Sequence, residues 1–201
     1  MRSAGLGTIV GLVNENHARL LGSAEWAAFL HGEILPAVAC GADLGDDMLE
    51  IGPGPGAATA WLRERVRRLV AVELSVDAAA ELGRRFAGTN VTAVPGDATA
   101  LSYEDGSFDS VGTFTMLHHV PTRAAQDAIL AEALRVLRPG GTLIGSDSLA
   151  SDRLHHFHEG DTYNPVEPSV LLNRLQGLGF AEITITVGQS LLFRARKEGA
   201  S

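Results

Sequence analysis

The segment Gly52-Pro53-Gly54-Pro55-Gly56 puts glycine at every second position, directly after the apolar run Met48-Leu49-Glu50-Ile51 with its single acid. Glycine permits φ > 0 and lets a ligand approach the backbone without meeting a Cβ atom. A helical run at 57–67 follows, and its N-terminus would point at a molecule bound over the loop. This is the pattern of a nucleotide-type cofactor site. Two more carboxylates stand in comparable places. Glu73 closes the apolar run Leu69-Val70-Ala71-Val72, and Asp97 follows the run at 91–94 within Pro95-Gly96-Asp97-Ala98. The candidate bases are histidines: His118-His119 in mid-chain, and His155, His156 and His158 further on.

These residues need a scaffold that brings them to one place. Apolar runs at 47–51, 68–73, 91–94, 107–113 and 141–147 predict strands, and the periodic segments 57–67, 76–86 and 123–137 predict helices between them. Such alternation predicts a doubly wound α/β sheet, mostly parallel, with helices on both faces. Glu50, Glu73 and Asp97 then fall at the tips of the first three strands, on the carboxyl edge where open α/β sheets bind ligands. His118-His119 follows the fourth strand at that edge. His119 is the candidate general base, although the pair could simply end the strand ahead of a helix after Pro121. Pro139-Gly140-Gly141 predicts a turn before the fifth strand.

The tail changes style. A polar, His-rich loop at 151–168 leads to a helix at 169–178, a break at Gly179, and apolar runs at 181–187 and 191–196. Only Gly188-Gln189-Ser190 joins the two runs, which suits an antiparallel hairpin and not a parallel crossover. Ahead of the first strand, apolar residues from Leu20 to Leu35 recur at helical spacing. Gly22 and Gly32 are expected to split that run, and Pro36 to open a short third helix.

The loop can be forced into the dinucleotide pattern G-x-G-x-x-[GA] through Gly52, Gly54 and Ala57. Pro53 and Pro55 have no N–H, however, and so remove two donors from a loop that would have to cradle a pyrophosphate. Three carboxylates at neighbouring strand tips would also repel one. Glu73 can accept from both hydroxyls of a ribose, which NAD and S-adenosylmethionine share, and Asp97 from an exocyclic adenine amine. The set suits a cationic, phosphate-free adenosine ligand.

Five segments, in order, carry a family resemblance: Leu49-Glu50-Ile51-Gly52-Pro53-Gly54-Pro55-Gly56, Val70-Ala71-Val72-Glu73, Gly96-Asp97-Ala98, Ser107-Phe108-Asp109-Ser110-Val111 and Leu134-Arg135-Val136-Leu137-Arg138-Pro139-Gly140-Gly141. The chain resembles the class I S-adenosylmethionine-dependent methyltransferases, of the small-molecule type similar to quinone-biosynthesis C-methyltransferases. The resemblance spans about residues 45–148. It implies a Rossmann-like seven-stranded sheet whose last strand is antiparallel, and S-adenosylmethionine as cofactor. Carried over by position, Gly52, Gly54 and Gly56 would line the methionine part, with Glu50 organising the loop and the ligand ammonium. Glu73 would meet the ribose and Asp97 and Ala98 the adenine, with Leu74 also among the cofactor-binding residues. Thr113-Phe114 would close over the ligand. The acceptor implied is a small molecule. A non-catalytic S-adenosylmethionine-binding module is the alternative, and an NAD-linked oxidoreductase a weaker one.

The chain's bounds agree with this. At 201 residues it is read as one domain: an irregular start at 1–13, a helical cap at 14–44, a cofactor-binding core at 45–148, a lid or acceptor loop at 149–168, and a terminal helix and hairpin at 169–201. A net charge of −8 disfavours nucleic acid or an anionic membrane as partner. The cluster Arg63, Arg65, Arg67, Arg68 reads as a solvated helix face. No run reaches the roughly 18 residues that span a bilayer, and with no sign of a leader the expectation is cytoplasmic. Cys40 stands alone, which excludes a multi-cysteine metal site and disfavours arsenic chemistry. His155 and His158 would share a helix face, but without a recognised ligand spacing no metal is expected. The helical cap, with His17, Trp26 and Phe29, is the other expected wall of the acceptor space. The sequence leaves the oligomeric state open.

Overall fold

A computed structural model describes residues 19–199 of the chain. The expected irregular start at 1–13 and His17 lie outside the described residues. Seven strands form one sheet: β1 (Asp47–Ile51), β2 (Arg68–Glu73), β3 (Val91–Pro95), β4 (Phe108–Phe114), β5 (Leu137–Asp147), β6 (Phe180–Val187) and β7 (Leu191–Lys197). Their order is 3-2-1-4-5-7-6. Strands β1 to β5 pair in parallel, and β7 runs antiparallel between β5 and β6. The three residues at 188–190 are too few for a crossover, so β6 and β7 form the expected hairpin.

The central strands are buried at nearly every position, on both sides, because both of their faces are covered. Alternate side chains go to opposite sides. Leu49 and Ile51 pack with Val111 and Leu143 under the helices α5 (Arg123–Val136) and α7 (Pro168–Leu178), through Ile129, Leu130, Leu171 and Leu175. Met48, Leu69 and Ile144 face the other layer, built from Leu30, Ile34, Leu35 and Val38 together with α3 (Ala57–Leu62). The helix α4 (Val76–Arg85) closes the β2–β3 end through Leu82 and, just past its last residue, Phe86.

The helical cap corrects one expectation. Gly22 breaks the run, and Ser23 caps α1 (Ala24–Phe29) by accepting from the Trp26 N–H at 3.1 Å. Gly32 breaks nothing. The chain widens there into a π-turn, Leu30–Ile34, and continues as α2 (Leu35–Ala39) with Pro36 at its opening. In an unbroken α-helix the Pro36 ring would press on the Gly32 carbonyl four residues back; the wider turn avoids that clash.

Three boundaries also move. The helix expected at 57–67 ends at Leu62, because Val66 must be buried and Asn90 Nδ2 takes the released carbonyls of Arg63 and Val66, both at 2.8 Å. The expected turn Pro139-Gly140-Gly141 is absorbed into β5 as an irregularity where its register against β4 shifts, with Gly140 at φ 79°. The loop at 151–168 contains a short helix, α6 (Asp152–Phe157), capped by Ser151. Among the described residues no helix is long and apolar enough to cross a membrane.

Gly145 sits in mid-β5 opposite Phe193 of β7, and a Cβ on it would lie 2.1 Å from the Phe193 ring. Phe193 is 1% exposed and has nowhere to retreat. Gly145→Ala is expected to destabilise the chain by about 1–3 kcal/mol, read as a lower urea midpoint at unchanged slope. An unchanged midpoint would show that the β5–β7 seam is looser than its packing indicates.

Candidate functional site

The penultimate residue of strand β1 is a buried acid. Glu50 is 1% exposed, and its Oε2 accepts from Thr59 Oγ1 of α3 at 2.6 Å. Burial pushes its pKa up to about 7, against the Thr59 hydrogen bond, and the nearby Glu73 charge adds to the rise. The glycine loop then turns directly above it. Gly52, Gly54 and Gly56 have φ of 66°, 52° and 84°, the left-handed region that only glycine enters freely. Gly52 and Gly56 are also pressed close: added Cβ atoms would meet Met116 Cγ at 2.2 Å and Leu82 Cδ1 at 2.5 Å. Around Gly54 there is open space for 4 Å.

The loop's own donors are spent. Gly52 N–H goes to Val72 O at 2.9 Å and Gly56 N–H to Pro53 O at 3.0 Å. Gly54 N–H goes to Glu73 Oε2 at 3.2 Å. With prolines at 53 and 55, the five residues of the turn direct no amide at a phosphate. This is a loop lined by carboxylate and held by its own bonds, and it suits a positive ligand.

The other expected cofactor residues lie along the rim toward β3. Glu73 ends β2 with its Oε1 accepting from Ser75 N–H at 3.3 Å. Leu74 beside it is a large apolar side chain left 44% exposed. Asp97 is exposed past the end of β3, and its Oδ1 accepts from Thr99 N–H at 2.8 Å and Thr99 Oγ1 at 2.7 Å. That Asx turn fixes the carboxylate at the rim, with Ala98 half-buried behind it.

A cleft of about 40 Å³ lies over the loop, between Glu50, Gly52, Gly54, Phe114 and Thr115 on one side and Leu21, Trp26 and Leu30 on the other. Its lining joins the tip of β4 to the helical cap. His31 Nε2 bonds the Ala57 carbonyl at 2.8 Å and so ties the cap to the start of α3. Phe114 and Thr113 are buried, and Thr113 Oγ1 has no hydrogen-bond partner among the described residues. A larger open hollow of about 580 Å³ lies near Cys40, Gly45, Asp46 and Trp61. It borders the residues that precede β1, the amino edge of the sheet, away from the edge where this fold class does its chemistry.

Sequence reasoning did not single out Thr115. It has φ 51°, a strained conformation for a β-branched residue that costs about 1–3 kcal/mol. The bond from Thr115 N–H to Ser146 O, at 2.7 Å, holds it there. No local signal marks it, since Thr directly after a strand ordinarily stays extended.

The histidines are regrouped. His119, the expected base, is half-buried in the 3₁₀ turn Leu117–His119. Its neighbour His118 is the better-supported ring: 2% exposed, with Nδ1 2.5 Å from Oδ1 of Asp147, itself fully buried at the end of β5. Asp147 Oδ2 accepts from the His118 N–H at 3.3 Å. This partner was legible in principle, because adjacent parallel strands end side by side. His155 and His158 do not act as a pair. His155 and His156 are exposed, and His156 Nδ1 bonds Glu159 at 2.8 Å. His158, 3% exposed, turns inward to His118 and His119. Burial, and secondarily the nearby His118, hold it below the ordinary histidine value. The expectation of no metal-ligating group therefore meets a three-histidine cluster that the loop spacing alone did not reveal.

Comparison with known proteins bears on the same edge of the sheet. Residues 49–145 match the family described as a methyltransferase domain. The demethylmenaquinone methyltransferase of Beutenbergia cavernae is 38% identical over 106 residues, which are 53% of this chain and 42% of that protein. The fatty-acid O-methyltransferase of Mycolicibacterium smegmatis is 32% identical over 106 residues, 52% of this chain and 38% of that protein. The chain thus spans less than half the length of these relatives. Among solved structures, Haemonchus contortus phosphoethanolamine N-methyltransferase 2, in complex with phosphomonomethylethanolamine and S-adenosylhomocysteine, superposes with a TM-score of 0.71 at 17% identity, covering 91% of this chain and 57% of that one. The domain match spans just under half of the chain and takes in the glycine loop, Glu73 and Asp97; together with the fold it supports a class I S-adenosylmethionine-dependent methyltransferase with S-adenosylmethionine as cofactor.

Proposed function

We propose that the chain transfers a methyl group from S-adenosylmethionine to a small-molecule acceptor. The observation that carries this is the glycine loop, whose amides are spent internally and whose surroundings are carboxylates. A sulfonium with an α-ammonium is the adenosine ligand such a site favours. In this reading Glu50 and the loop hold the methionyl end in the cleft. Glu73 takes the ribose, while Leu74, Asp97 and Ala98 take the adenine at the open rim. The acceptor lies toward the tips of β4 and β5, walled by the helical cap and the segment at 151–168.

The reaction is an in-line displacement. A lone pair on the acceptor forms the new bond to the methyl carbon, and the C–S bond breaks with its electron pair left on sulfur. Positioning supplies much of the catalysis. Where the acceptor must shed a proton, a base is needed. His118 is the stronger candidate, since Asp147 fixes its ring and can stabilise the imidazolium; His119 lies beside it with ring centroids 4.0 Å apart. The acidic net charge and the relatives named for small-molecule acceptors support a small acceptor over a nucleic acid.

Calorimetry is expected to show micromolar binding of S-adenosylmethionine and of its demethylated product. Glu73→Ala and Asp97→Ala should each weaken it about tenfold, the loss of a charge-assisted hydrogen bond. Absence of binding, or tighter binding of NADH, would sink the reading. Tight binding with no cofactor turnover across a broad acceptor panel would point instead to a non-catalytic binding module.

Glu50 gives a pH test. A cationic ligand favours the ionised carboxylate, so affinity for S-adenosylmethionine should rise as pH passes through about 7 and level off above it. Without ligand the sign reverses. The folded value lies above the unfolded one, so stability falls between pH ~4.3 and ~7, by on the order of 3 kcal/mol. Glu50→Gln should flatten both profiles, as read by calorimetry and by urea unfolding across that range. A wild-type affinity that is level from pH 6 to 8 would remove Glu50 from the ligand's recognition.

A further inference from the structure

His118, His119 and His158 come from two separate segments, yet each offers one nitrogen and these nitrogens all lie within 4.8 Å of one another. Two of the rings have Nδ1 held by a protein acceptor. His118 Nδ1 faces the Asp147 carboxylate, and His158 Nδ1 lies 2.6 Å from the Leu154 carbonyl. Both partners can only accept, so in each neutral ring Nδ1 carries the proton and Nε2 the lone pair. A carboxylate or carbonyl behind the imidazole, fixing this tautomer and raising the ligand's basicity, is the usual support of a metal-bound histidine.

The rings are also held in place. Tyr163 stacks on His158 with centroids 4.3 Å apart and planes at 19°. Asn164 joins the two segments: its N–H bonds the His118 carbonyl at 2.7 Å and its Nδ2 the Val120 carbonyl at 3.0 Å. Gln126 Nε2 holds both the Leu117 and Asn164 carbonyls at 2.9 Å. His118 and His158 are shielded from water, at 2% and 3% exposure. A general base needs one such ring; three converging imidazoles with two fixed tautomers do more than that task requires.

We propose that His118, His119 and His158 form a binding site for one divalent first-row transition ion of the zinc class, with Asp147 and the Leu154 carbonyl orienting two of its ligands. Three neutral imidazoles suit zinc, iron, cobalt or nickel, and not magnesium or calcium, which prefer oxygen. Ligand nitrogens around a tetrahedral ion with bonds of ~2.0–2.1 Å stand ~3.4 Å apart, so the cluster has to close by little more than an ångström. Three ligands from the described residues leave a fourth position of a tetrahedral ion for a further donor, such as water or an oxygen of the acceptor. The site abuts the donor side through Met116, which precedes this turn and packs against Gly52. An ion held there would occupy the His118 lone pair, so His118 can serve as a base only in the ion-free site; ion binding itself is read without cofactor.

The test uses the full chain without a polyhistidine tag, stripped with a chelator and dialysed. Zinc is titrated against a chromophoric indicator and cobalt by its visible absorption. The expected result is one equivalent bound, intense ligand-field bands for cobalt, and a melting temperature that rises with zinc concentration. His158→Gln should weaken zinc at least a hundredfold and abolish the thermal rise. Asp147→Asn should weaken it about 10–100-fold. His156→Gln, at the exposed surface, should change neither. The wild-type cobalt spectrum needs no variant, so misfolding of a mutant leaves the proposal exposed to refutation. It is overturned if the wild-type chain binds none of zinc, cobalt, nickel or ferrous iron, or if folded His158→Gln binds as tightly as wild type.

Discussion

Burial of one carboxylate at the tip of β1 is the constraint on which the donor half of the site depends. Among the described residues Glu50 has a single hydrogen-bonding side chain, Thr59, to set against its removal from water, and burial pushes its pKa up to about 7. The Thr59 bond runs from α3 back to β1, so it also fixes how sharply the intervening loop must turn. That turn requires three positive φ angles within five residues. Met116 on one side and Leu82 with Phe86 on the other fill the space that side chains at Gly52 and Gly56 would need. The unfavourable acid, the strained loop and the close packing are one arrangement. A ligand bringing positive charge to Glu50 relieves the term the protein leaves unbalanced.

The strand order divides the edge into two halves with different work. β1, β2 and β3 lie side by side and present Glu50, Glu73 and Asp97 in sequence, the half we assign to the cation and the adenosine. On the other side of β1, β4 and β5 end together and place His118 against Asp147. Thr115 is the joint between the halves. It lines the cleft over the glycine loop, and its backbone N–H is bonded to β5. Its left-handed conformation turns the chain out of β4 at once, so that Met116 reaches the loop while His118 reaches β5. Strain at this one residue lets a single strand end serve both halves.

The strand-tip arrangement that forms the proposed donor half was legible because its signals are local. Glycine spacing, an acid at the end of an apolar run, and Gly-Asp after another run are each read within ten residues, and parallel topology then aligns them. The hairpin was legible for the same reason, from a three-residue connection. The acceptor half was less so. His118 and Asp147 are 29 residues apart, His118 and His158 forty, and which of two adjacent histidines points inward depends on a 3₁₀ turn with no sequence marker. Gly32 and Pro139-Gly140-Gly141 misled in the opposite direction. Both are breaker signals, and both were absorbed, one as a π-turn and one as an irregularity within β5, because the layers on either side bury the flanking apolar residues whatever the local preference.

The glycine loop also shows why a motif has to be judged by its donors and not by its glycines. A phosphate-binding turn works through free N–H groups converging on an anion. Here proline removes two of them. The other three are bound to Val72, Pro53 and Glu73, the last a carboxylate at the position where an anion would sit. Exchanging the prolines for other residues would not convert the loop, since Glu50 and Glu73 would still face the ligand. Selection against phosphate is thus built twice, once into the backbone and once into the charge, and either alone would disfavour a dinucleotide. In the proposed reading they leave the adenosine part of the recognition unchanged and reverse the sign of the group attached to it.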